Sequence, residues 1–182
     1  MLAPERGFVW SARVAGAITG SDHFLDGEGG LDRRLLGLVP VVRASDADVA
    51  RSSAGRAGAE AVWPPTALLP RAGVRRRALD EHRVSAGLRV GDVDLDVTLT
   101  LGPGARLRSA RFMRWGDPDA TGFFGPHLFG MDMLVHGRFG PLTIPVAGRE
   151  GWFPGTDRFD EGDFFRFRIT GMRLCGRRAA RS

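Results

Sequence analysis

Thr156-Asp157-Arg158 lies among Gly151, Pro154, Gly155 and Gly162, the densest run of special residues in the chain. A carboxylate beside a guanidinium in a sharply bent segment can act as a base and an anion clamp, and His136 would complete such an acid–base set. The local residues favour a structural use instead. An Asp in a glycine-rich turn accepts backbone N–H bonds that would otherwise go unmet. We therefore expect a clasp in which Asp157 caps the turn and Arg158 or Arg166 pairs with a nearby carboxylate.

Other reactive sets are missing. No histidine among His23, His82, His127 and His136 has a second histidine at the helical zinc spacing. Asp80-Glu81-His82 would send its side chains to alternate faces of a strand. Neither a G-x-S-x-G elbow nor a phosphate-cradling G-x-x-x-x-G-K-S/T loop occurs, and without lysine there is no Schiff base. The segments from Asp22 to Glu28 and from Asp157 to Asp163 are rich in oxygen ligands but lack the alternate-residue calcium spacing. Asx turns account for both. No metal and no cofactor is expected, and the reading leans away from an enzyme.

Arg111 shares a strand face with Leu107, Ser109, Met113 and Trp115. A charge in such a row needs a partner, because burying it unpaired is costly. The partner is either an internal aspartate or the anionic head of a ligand at the rim of an apolar cavity. Trp10, Trp63, Trp115, Trp152 and Phe165 could line that cavity. Around Phe165, strand alternation puts Phe167 and Ile169 on one face and Arg166, Arg168 and Thr170 on the other. An acidic partner could meet that arginine face.

Composition limits these options. The chain has 182 residues, 43% of them apolar and 26% charged, as in an ordinary globular domain. One domain is expected over 1–182, with 176–182 as a disordered tail. All 26 basic residues are Arg, and Lys, Asn, Gln and Tyr are missing together. Those four have AT-rich codons, so a GC-rich genome explains the arginines and the pI of about 11.1. The net charge of +5 does not imply nucleic-acid binding. The single cysteine, Cys175, forbids an internal disulfide and fits a reducing, cytoplasmic setting. No apolar run approaches the roughly 18 residues a membrane helix needs. The first ten residues lack the basic and apolar regions of a secretory signal.

The elements that must hold these side chains are mostly strands. Residues 8–18 and 92–101 alternate apolar and polar positions, and 105–115, 131–139, 142–148 and 163–174 follow as strands. Residues 22–30 and 117–130 are expected as a turn and a loop. From 31 to 43 a strand is expected, with Pro40 at an edge or bulge. Ser45 and Asp48 form a capping box for the one long helix, which carries Gly55 and Gly58 and stops at Pro64-Pro65. Short links between successive strands imply antiparallel pairing. The expected fold is α+β: a curved antiparallel sheet of about eight strands against one main helix, half-barrel-like.

Four segments carry a resemblance: residues 62–70 (VWPPTALLP), 111–115 (RFMRW), 139–159 and 161–170 (EGDFFRFRIT). They resemble the motifs of a bacterial family of unknown function, with W-x-P-x-A-L-L-P and GW-x-x-GTDRW-x-x-GEFFRY-like segments. Phe159 and Phe167 stand where Trp and Tyr are usual. The strand pattern is also similar to lipoprotein-carrier half-barrels, which hold acyl chains between a sheet and helices. The aromatic content, the curved-sheet reading and the missing catalytic sets point to a non-enzymatic protein that binds an apolar or lipid-like ligand between sheet and helix. The alternatives are an enzyme built on Asp157, Arg158 and His136, and a partner-binding module with an arginine face.

Overall fold

In the computed structural model, residues 2–3, 7–14, 18–26, 28–35 and 39–173 are described. Two antiparallel sheets run in chain order. The first holds β1 (Leu2–Ala3), β2 (Gly7–Val14), β3 (Ile18–Leu25), β4 (Glu28–Leu35) and β5 (Val39–Ala44). The second holds β6 (Arg75–Ala78), β7 (Arg83–Val90), β8 (Val93–Leu101), β9 (Leu107–Gly116), β10 (Gly125–Phe139), β11 (Leu142–Trp152) and β12 (Asp163–Arg168). The main helix α1 (Ala47–Ala59) continues as a tighter turn over Glu60–Val62, and a short helix α2 (Phe159–Gly162) precedes β12. The fold is α+β with one main helix. Its strands are divided between two sheets, and neither closes into a barrel.

Alternation in β8 buries Leu95, Val97 and Leu99 and leaves Asp94 and Asp96 exposed. Pro40 lies on β5, an edge strand, beside a register shift in β4, where its missing N–H is harmless. Three expectations are corrected. Residues 22–30 are not a turn: β3 continues to Leu25, which pairs with Glu28 at the start of β4. Asp26 adopts φ 51°, the left-handed region that such short hairpin links require. Residues 117–130 are a loop only as far as Phe124, because Gly125 to Asp132 pair with β9 in unbroken register. The partner strand satisfies the backbone there, despite the Gly and Pro content. The helix cap is Asp46 rather than Ser45: its Oδ1 accepts from the Val49 amide at 2.9 Å.

The small residues of α1 let it pack against both sheets. Ala54 meets Phe8 and Phe24 of the five-stranded sheet, while Ala59 joins Leu88, Leu95 and Phe112 of the seven-stranded sheet. A Cβ on Gly58 would collide with the Leu95 methyl, and one on Gly29 of β4 would lie 2.6 Å from the Ala50 backbone. The interior is therefore filled by the helix itself.

Candidate functional site

Two places concentrate polar chemistry. The first is an ionic cluster inside the fold. Arg56 of α1 donates to Asp22 of β3 at 2.8 Å and to Glu60 at 2.7 Å. Its guanidinium lies over Phe8 at 5.2 Å and Trp10 at 4.9 Å. Arg114 of β9 lies over Phe129 at 4.6 Å and Trp152 at 5.3 Å, and Glu150 of β11 completes the set. Glu60 and Glu150 are only 5% and 4% exposed. Burial disfavours the charged carboxylate, so Glu60 titrates above its usual range and Glu150 rises to about 7, with Arg56 and Arg114 opposing the shift. Burial likewise lowers Arg114 to about 10, against the pull of Glu150.

The second place is a groove on the other face of the seven-stranded sheet. Neighbouring residues on a strand point to opposite faces, so Phe112 and Glu150 face the core while Arg111 and Arg149 face the groove. Register aligns one polar row across five strands: Thr100, Ser109, Asp132, Arg149 and Arg166. This row and Arg108 border a space of about 610 Å³, with Met133 and Leu134 supplying an apolar edge. Asp132 and Arg149 also border a second space of about 460 Å³, closed by the turn that contains Thr156, Asp157 and Asp160.

Asp132 is already committed. Its Oδ1 accepts from Arg111, and its Oδ2 lies 3.5 Å from Arg149. Arg111 also donates to the Met131 carbonyl at 2.5 Å, reaching across Gly130, where a Cβ would sit 2.7 Å from its Cδ. By contrast, the Thr100 and Ser109 hydroxyls and the Arg108 guanidinium have no hydrogen-bond partner among the described residues. The first space therefore offers an unpaired guanidinium and two unpartnered hydroxyls, and its one carboxylate, Asp132, is already paired.

The aromatic residues proposed as one cavity wall are dispersed. Trp10 and Phe165 meet edge to face at 6.1 Å beside the ionic cluster. Trp152 packs on Phe129 at 4.9 Å, and Trp63 on Phe167 at 5.3 Å. Trp115 donates from Nε1 to Asp48 at 2.7 Å and lies under Arg51. Arg111 lies on the opposite face of the sheet and is paired with an aspartate.

The turn expected as a clasp is held differently. The Thr156 hydroxyl donates to the Phe153 carbonyl at 2.7 Å and accepts from the Arg158 amide at 3.3 Å. Asp157 is exposed at the groove and makes no hydrogen bond among the described residues, so capping falls to Thr156. Arg158 donates to Asp119 at 2.5 Å and stacks on Phe153, and Arg166 pairs with Asp163 at 3.2 Å. His136 lies outside the groove lining, at a register shift of β10, with its Nε2 buried. Among the described residues, no group of three His, Cys, Asp or Glu could hold a metal. None of their helices is long and apolar enough to cross a membrane.

The ionic cluster escaped sequence reasoning, because Asp22, Arg56, Arg114 and Glu150 come from four distant elements. Only the i, i+4 spacing of Arg56 and Glu60 was a local signal. No curated protein and no solved structure matches the chain. A family model does match, over residues 1–166, and the chain belongs to that family, the family of unknown function DUF6544.

Proposed function

We propose that this protein is a non-enzymatic binding protein whose ligand is an amphipathic anion, seated in the groove on the outer face of the seven-stranded sheet. The observation that carries the reading is the excess of free donors at one end. Thr100, Ser109 and Arg108 offer N–H and O–H groups without partners there, while Asp132 is consumed by Arg111 and Arg149. Guanidinium and hydroxyl donors together suit a phosphate or carboxylate. Leu134, 68% exposed, offers apolar area beside them. A lipid-like ligand between sheet and helix finds less support, since α1 abuts Leu95 and an ionic network crosses that space.

Titration calorimetry with hexyl phosphate and the neutral hexyl glucoside tests the proposal. The phosphate is expected to bind and the glucoside not. Replacing the unpaired rim cation, Arg108→Ala, should weaken phosphate binding tenfold or more and leave the fold intact, because its side chain is exposed. Equal binding of the two ligands would contradict it.

A further inference from the structure

The strand β6 ends the seven-stranded sheet, and among the described residues no strand pairs with its outer side. All four of its residues are exposed. The Leu79 amide donates to the Arg83 carbonyl at 2.8 Å, and the register with β7 runs on through Arg77 with Ser85 and Arg75 with Gly87. In an antiparallel pair, hydrogen-bonded positions alternate with non-bonded ones. The N–H and C=O groups of Arg76 and Ala78 therefore point away from β7. Such an edge is a template for another strand.

Its side chains decide which strand fits. Arg75 and Arg77 project on one face and Arg76 on the other. None of the three makes an ion pair or a side-chain hydrogen bond among the described residues, and neither does Arg71, exposed just before the strand. A second copy is repelled, because its own arginines would face these. A neutral strand is disfavoured too, since pairing would strip water from guanidiniums that gain no partner. An acidic strand removes that cost.

We propose that β6 is a docking edge for an acidic, extended segment of a partner protein, which adds a strand there with carboxylates at alternate positions facing Arg75 and Arg77. The outward backbone groups of Arg76 and Ala78 hold the guest main chain, and the arginines select its charge. A nucleic acid would meet the arginines but brings no strand to pair with those backbone groups. The edge lies outside both spaces of the groove, so it does not depend on the ligand there.

Fluorescence anisotropy on the intact chain tests this with a labelled, acetylated peptide that alternates glutamate and threonine. It is expected to bind at least tenfold more tightly than the same peptide with glutamine for glutamate, and to weaken as salt rises. Arg75→Ala with Arg77→Ala should weaken binding tenfold or more and preserve the fold, because both side chains are exposed. Methylating the backbone nitrogens of the peptide keeps its carboxylates and removes its donors, and binding should be lost. The proposal is overturned if the acidic peptide does not bind or binds the double variant undiminished. It is equally overturned if the methylated peptide binds as well as its parent, or if an oligothymidylate displaces the peptide at a lower concentration than unlabelled peptide does.

Discussion

At the residue scale, burial decides what Glu150 and Thr156 do. Glu150 is 4% exposed, and its carboxyl is raised to about 7, above the ordinary value near 4.5 that it regains on unfolding. A group whose folded pKa is raised gives its full stabilisation below the unfolded value and loses it as pH climbs to the folded one. The wild type should therefore lose roughly 3 kcal/mol through this group between about pH 4.5 and 7. Glu150→Gln mimics the protonated carboxyl, so its stability relative to wild type should rise across that window and level off above it. Urea unfolding at pH 4.5, 6 and 8 measures the difference, and a flat difference would contradict the assignment. For the turn, Thr156→Ala should cost about 1 kcal/mol by removing two hydrogen bonds, whereas Asp157→Ala should stay within about 0.5 kcal/mol. Thermal melts of both variants check this, and the reverse order would restore Asp157 as the cap. The turn itself was legible from Gly151, Pro154, Gly155 and Gly162. Which of two adjacent polar side chains accepts a backbone amide of the turn was not, because that depends on side-chain direction in the folded turn.

At the element scale, α1 is a spacer between two sheets. Its glycines cost helix stability, about 1 kcal/mol each against alanine, and they permit the approach to Leu95 and Phe112. These effects oppose each other in Gly58→Ala, which gains propensity and inserts a methyl into the Leu95 side chain. Packing should win, with a net loss of about 1–3 kcal/mol in denaturant unfolding. Stabilisation by that substitution would show that the helix sits further from β8. The pattern of β8 and the stop at Pro64-Pro65 were plain from alternation and backbone chemistry. The division into two sheets was not, because the Asp and Gly content of residues 22–30 reads as a turn, whereas the pairing of β3 with β4 runs up to Leu25 and Glu28. Nor was the start of β10 at Gly125, where pairing with β9 overrides a run of Gly and Pro.

At the scale of the whole molecule, the chain places its two polar assemblies on opposite sides of one sheet. The ionic cluster ties α1 to both sheets from within, and the groove opens outward across the polar row from Thr100 to Arg166. Arg111 was visible in the sequence as a charge needing a partner, and Asp132 supplies it. The groove was hidden, since its row is assembled from β8 to β12 and only register aligns it. The central claim is that the ligand sits on the outer face rather than between helix and sheet. Backbone amide NMR during a hexyl phosphate titration tests it most directly. The account predicts saturating shifts at Ser109, Asp132, Arg149 and Arg166, with little change at Ala54, Gly55 and Gly58. Shifts concentrated on the helix residues and on Trp10 and Trp152, with the outer row silent, would contradict it.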